Sequence, residues 1–120
     1  MVVLVCGKAG AGKTTYANRL AQELIEAGFN VRLLDGDEQR QVVNNLDFTE
    51  AGRHRHLMAM AKSAAEAERL GYVAIVAAIA PRIHWRKKMR SMWRESLLVY
   101  LPGGSLWEGT EFEEPRFNEY

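Results

Sequence analysis

The sequence predicts an α/β fold, a three-layer α/β/α sandwich built on a small parallel sheet of about four strands. Three observations carry that expectation. Four short apolar runs, at residues 2–6, 31–34, 72–80 and 97–101, read as strands, and the third is apolar on both faces, as a central parallel strand must be. Stretches at helical spacing stand between them. The first strand passes into the first helix through a glycine-rich turn, so that strand, helix and second strand make a parallel βαβ unit.

That turn is the most informative stretch. Gly7, Lys8, Ala9, Gly10, Ala11, Gly12, Lys13 and Thr14 fit the phosphate-binding loop G-x-x-x-x-G-K-[ST]. A strand precedes it, and Ala17, Leu20, Ala21, Leu24 and Ile25 place a helix after it, opening near Gly12 or Lys13. The glycines let the backbone approach phosphate oxygens, and the helix N-terminus adds a field that favours anions. Lys13 would reach the β- and γ-phosphates of ATP, and Thr14 would hold Mg²⁺. The fold is then that of the P-loop NTPases. Lys8, the other lysine of the loop, reads as a solvated charge.

Gly28 fits the C-cap of the first helix, and Asn30 turns the chain into the second strand. That strand stops at Asp35-Gly36-Asp37, which is also good turn chemistry. Ligands of parallel sheets bind beyond the carboxyl ends of the strands. Both aspartates therefore fall on the phosphate-loop edge, where a carboxylate can orient Mg²⁺ or take a proton from an attacking hydroxyl. Asn44-Asn45 breaks the pattern, and Thr49 reads as the N-cap of a helix running to about Leu70-Gly71. Leu57, Met58, Ala61, Ala64 and Ala65 form its apolar stripe. His54 and His56, two apart, point to different sides of a helix and do not make a shared metal site.

Pro81 stops the third strand. Residues 82–94 carry Arg82, Arg86, Lys87, Lys88, Arg90 and Arg94 with no acid, an amphipathic basic helix. Its cations are read either as a solvated face or, for Arg86 or Arg90, as groups aimed at the phosphate edge; a nucleic-acid surface ranks behind both. Pro102-Gly103-Gly104 closes the fourth strand. Residues 102–120 read as an irregular tail wrapped on a single domain of residues 1–120, with Trp107 and Phe112 as anchors.

Composition narrows the classes. The chain has 120 residues, a net charge of +1 and 48% apolar residues, enough for one core and without a general pull toward nucleic acid. One cysteine, Cys6, excludes a disulfide framework and reads as a small core residue. There is neither a leader-like basic segment before the first strand nor an apolar run of membrane-spanning length, so a cytoplasmic location without membrane association is expected. The chain is short for a complete nucleotide kinase, and a sheet this small leaves an edge exposed; a homodimer or a tail-covered edge is expected.

Taken together, the loop through Thr15, the string Leu34-Asp-Gly-Asp-x-x-Arg40, the string Phe48-Thr-Glu-x-x-Arg53 and Ala78-Ile-Ala-Pro81 with Arg86 resemble adenylylsulfate kinase (APS kinase) over residues 2–101. The resemblance implies transfer of the γ-phosphate of MgATP to the 3′-hydroxyl of adenosine 5′-phosphosulfate (APS). It implies that Gly7, Ala9, Gly10, Ala11, Gly12, Lys13, Thr14 and Thr15 bind ATP, that Thr14 and Asp35 serve Mg²⁺, and that Lys13, Asp35 and Asp37 are catalytic. Asp37, Arg40, Phe48, Arg53, His56, Ile79 and Arg86 are then the substrate side, with Arg40 and Arg53 on the phosphosulfate and Phe48 stacked on adenine. The chain departs from the family pattern at Gly52 (Asp), His56 (Asn), Met58 (Arg) and at Ala9 and Ala80 (both Ser). The C-x-x-R-D-x-K-G-L-Y lid stretch after the fourth strand is absent, and Phe112-Glu-Glu-Pro115 resembles the Y-E-x-P string beyond it. The other readings are a P-loop kinase of another small hydroxylated substrate, a nucleoside or a sugar, and a non-catalytic nucleotide-binding module.

Overall fold

A computed structural model describes residues 1–36, 50–105 and 111–120. In chain order the described elements are β1 (Val2–Gly7), α1 (Lys13–Glu26), β2 (Val31–Asp35), α2 (Glu50–Arg69), β3 (Val73–Ala78), α3 (Ile83–Ser91), β4 (Ser96–Leu101) and a 3₁₀ turn (Phe117–Glu119). The four strands pair in the order β2-β3-β1-β4, and every pairing is parallel. This is the sheet expected from the sequence.

Strand alternation divides the core in two. Val3, Val5, Ile75 and Ala77 face α1, where Ala17 and Ala21 let the helix sit close to the sheet. Val2, Leu4, Cys6, Ala74, Val76 and Ala78 face the other way, onto Leu57, Met60, Ala61 and Ala64 of α2 and Trp85 and Met89 of α3. Because β1 and β3 are covered on both faces, their residues are apolar without alternation. Met58 and Met60 are core side chains, as the sequence suggested, and the buried Trp93 indole donates to the Ala61 carbonyl at 2.9 Å.

Element ends differ from expectation where the backbone leaves its ladder. The third strand stops at Ala78 rather than Ala80, because Ala80 turns to φ 46°. The basic helix covers Ile83–Ser91 rather than residues 82–94. The second strand runs one residue longer, so Asp35 is its last residue, in register with Ala77. The Thr49 cap and the Trp107 anchor lie outside the described residues, whereas Phe112 is half-buried and stacks on Tyr100 with ring centroids 5.8 Å apart. Through Phe112 the tail covers the α2/α3 face of β4; among the described residues it adds no strand to the sheet. No described helix is long and apolar enough to cross a membrane.

Candidate active site

The parallel register brings the carboxyl ends of β1, β2 and β3 to one edge: Cys6 lies beside Ala78, and Ala77 beside Asp35. The phosphate-binding loop leaves β1 at this edge. Gly12 is the N-cap of α1 with φ 94°, a left-handed conformation that glycine adopts without steric cost. With α1 starting at Lys13, the first amides of the helix have no carbonyl one turn earlier in the helix to bond and are presented to the loop. Ala9, Gly10, Gly12, Thr14 and Thr15 are exposed, while Gly7 is buried against β4.

Two side-chain contacts among the described residues organise the loop. The Lys13 ammonium donates to the Lys8 carbonyl at 2.8 Å. The Thr14 hydroxyl donates to Asp35 Oδ2 at 2.6 Å. The second contact ties the loop to β2 and sets a hydroxyl beside a carboxylate, the all-oxygen donor chemistry suited to Mg²⁺. Asp35 is 7% exposed, so its charge acts in a partly dry setting. Beneath the loop, burial pushes the Cys6 thiol up to about 11, and Arg86 and Lys13 pull it only partly back. It is a buried core thiol, as expected.

His56 reaches this edge from α2. It is buried, and its Nε2 lies 3.2 Å from the Gly36 carbonyl, directly after Asp35. Bonded so, the ring holds the end of β2. Arg53, three positions earlier, shares that side of α2 and is half-buried. Ile79 is half-buried at the end of β3. Asp37, Arg40 and Phe48 lie outside the described residues.

Arg86 is not where the sequence reading placed it. Its guanidinium is 0% exposed and bonded inside the protein, to the Glu119 carboxylate at 2.5 and 3.2 Å and to the carbonyls of Ala80 (2.6 Å) and Glu113 (2.7 Å). Arg90 likewise turns to Ser96 and to the Glu119 carbonyl. The apolar faces of Trp85 and Met89 draw this side of α3 inward, and the acidic tail supplies the counter-charge. The expectation of a cation aimed at phosphate is corrected for both arginines.

Sequence reasoning also missed the segment after β4. Ser105 N–H donates to the Ala9 carbonyl at 2.9 Å, and Gly104 is pressed onto the loop, where a Cβ would fall 2.4 Å from Ala9 O and 2.9 Å from Ala11 N. The Gly103-Gly104 pair, which ends the strand, also carries the signal for this close approach.

A family model described as adenylylsulphate kinase matches residues 1–102. The chain belongs to the adenylylsulphate kinase family. A probable adenylyl-sulfate kinase of Archaeoglobus fulgidus is 37% identical over 100 residues, which make up 82% of this chain and 64% of the relative. Among solved structures, the hexameric APS kinase of Thiobacillus denitrificans superposes with a TM-score of 0.81 at 31% identity, covering 95% of this chain and 23% of that one. The Mycobacterium tuberculosis APS kinase in complex with AMPPNP and APS gives 0.77 at 28% identity, covering 83% and 61%. The fold is thus that of the P-loop NTPases. The chain spans less than two thirds of the length of the adenylylsulphate kinases it matches first.

Proposed function

We propose that the chain is an ATP-dependent kinase of APS that transfers the γ-phosphate of MgATP to the 3′-hydroxyl. The observation that carries the proposal is the Thr14–Asp35 contact of 2.6 Å at the mouth of a complete phosphate loop. Membership of the adenylylsulphate kinase family, and a similar enzyme bearing APS and a nucleotide analogue, support the acceptor.

In this reading the loop from Gly7 to Thr15 holds the phosphates, and Lys13 leaves the Lys8 carbonyl for the β- and γ-phosphates. Thr14 and Asp35 would hold Mg²⁺, which supplies charge neutralisation on the transferred group. Asp37 accepts the proton of the 3′-hydroxyl as its oxygen bonds the γ-phosphorus and the bond to the β-phosphate oxygen of ADP breaks. Arg40 and Arg53 pair with the phosphosulfate, Phe48 stacks on adenine, and Ile79 lines that pocket. His56 serves through Gly36, by fixing the end of the strand that carries Asp35. A homodimer formed through the outer edge of β4, where Leu97 is 56% exposed, belongs to the same proposal and is read by light scattering.

The test is direct. The purified chain is incubated with MgATP and APS, and 3′-phosphorylated product is followed, with Arg53→Ala as control. Product that vanishes in the control supports the reading. Absence of product with ATP still bound refutes this acceptor. A kinase of a nucleoside or sugar is the second reading, favoured by Met58: where the family has Arg, this chain has a buried core side chain.

A further inference from the structure

The β3–α3 turn is held from outside the site by the C-terminal segment. Ala80 carries a positive φ of 46° and is 1% exposed. A non-glycine residue persists there when its surroundings over-determine it, and such positions gather at functional edges. Ala80 and the three residues after it have fixed partners. The Ala80 carbonyl accepts from Arg86 at 2.6 Å. The Pro81 carbonyl accepts from the Glu113 amide at 2.7 Å, and the Ile83 amide donates to Glu113 Oε1 at 3.1 Å, which caps α3 where Arg82 offers no side-chain cap. Arg82 bridges Glu50 of α2 at 3.1 Å and Glu111 of the tail at 3.6 Å.

Arg86 in turn depends on the tail. Its fully buried guanidinium is neutralised by Glu119 in a two-point contact, with a further bond to the Glu113 carbonyl and the Phe112 ring 5.5 Å from its Cζ. Without Glu119 a buried cation would be left facing two carbonyls, and the α3 side of the turn would have to open to hydrate it. The turn lies at the edge that matters: it continues β3, whose Ala77 and Ala78 neighbour Asp35 of β2 and Cys6 of β1.

We propose that the Arg86–Glu119 pair is a latch through which the C-terminal segment holds residues 79–82, with Ala80 in its strained form, and so positions the acceptor side of the site. Arg86 and Glu119 are positioning residues; neither touches a reacting atom. The acceptor half of this statement rests on the kinase reading above, whereas the latch itself does not.

The test compares the full chain with Glu119→Gln and Glu119→Ala in two measurements. Hydrogen exchange followed by mass spectrometry should show amides of the 79–86 region exchanging about tenfold faster in Glu119→Ala, with Glu119→Gln in between because it keeps one acceptor oxygen, and α1 unchanged. In the kinase assay the KM for APS should rise about tenfold while the KM for MgATP stays within about twofold. If Glu119→Ala does not fold, Glu119→Asp, which keeps the charge but draws the carboxylate back from Arg86 by one methylene, gives the same exchange readout in smaller degree. Unchanged exchange at the turn, or two KM values rising together, overturns the proposal. A parent chain that does not phosphorylate APS refutes the kinase reading, and the exchange measurement still decides the latch.

Discussion

Replacing Gly104 by alanine tests the contact between the segment after β4 and the phosphate loop, and Gly103 supplies its control. Both glycines have positive φ, 71° at Gly104 and 98° at Gly103. Alanine at either pays the left-handed cost of about 1 kcal/mol. The two differ in surroundings. A Cβ at Gly103 meets nothing within 4 Å, whereas at Gly104 it falls 2.4 Å from Ala9 O and must open to at least 3.0 Å against backbone. Overpacking of that kind costs about 1–3 kcal/mol more. For a domain of this size each kcal/mol moves Tm by about 4 °C. Gly103→Ala should therefore lower Tm by about 4 °C, and Gly104→Ala by about 8–16 °C. The bond from Ser105 N–H to Ala9 O would break with the displacement, so MgATP affinity should fall about tenfold in Gly104→Ala and hold in Gly103→Ala. Thermal melts with and without MgATP, together with calorimetric titration, read both quantities. Equal Tm shifts in the two variants, with equal nucleotide affinity, would refute the idea that this segment braces the loop.

Three further outcomes are expected. Asp35→Asn keeps an acceptor for the Thr14 hydroxyl but removes the charge, so the melting curve should change little while kcat/KM for MgATP falls about 100-fold; a fall under threefold would remove Asp35 from the metal site. At Glu68, burial pushes the pKa up, but the Met1 ammonium at 2.7 Å and the amides of Arg94 and Glu95 outweigh it and leave the carboxyl below its ordinary 4.5. A depressed folded pKa means that stabilisation is complete above 4.5 and is lost as pH falls through the folded value, so Glu68→Gln should cost about 1 kcal/mol at pH 7 and progressively less below pH 4.5; urea titrations giving a constant gap would contradict this. Cys6, buried and raised to about 11, should resist iodoacetamide at pH 8 in the native chain and react on unfolding, and rapid native alkylation would show that β1 opens.

The sheet and the loop were legible because their signals are local. A strand buried on both faces has to be a continuous apolar run, and a loop that wraps phosphate needs glycines and a lysine at fixed spacing, so residues 2–14 announce their structure within a dozen positions. Asp35 was legible for a related reason: a carboxylate at the end of a strand that follows such a loop has one edge to occupy, and the pairing with Thr14 follows from the parallel order of β1 and β2. His56 was singled out by its place in the family pattern, but its actual partner, a main-chain carbonyl twenty residues earlier, leaves no mark in composition or periodicity.

Arg86 shows where that locality ends. A run of six cations without an acid reads as a solvated or anion-seeking face, because within the run nothing opposes the charge. The opposing charge is Glu119, 33 positions later, in a segment with no period of its own. What a sequence reader could have weighed is stoichiometry: the cation-rich helix and the acid-rich tail belong to one chain with a net charge of only +1, and the helix carries Trp85 and Met89 on the side that must face the sheet. An arginine between two core side chains cannot reach water without leaving the core, so it must find a carboxylate inside. The tail is the nearest unassigned source of one. Its irregularity in the sequence is then the expected property of a segment shaped by the groups it must satisfy rather than by a ladder of its own hydrogen bonds.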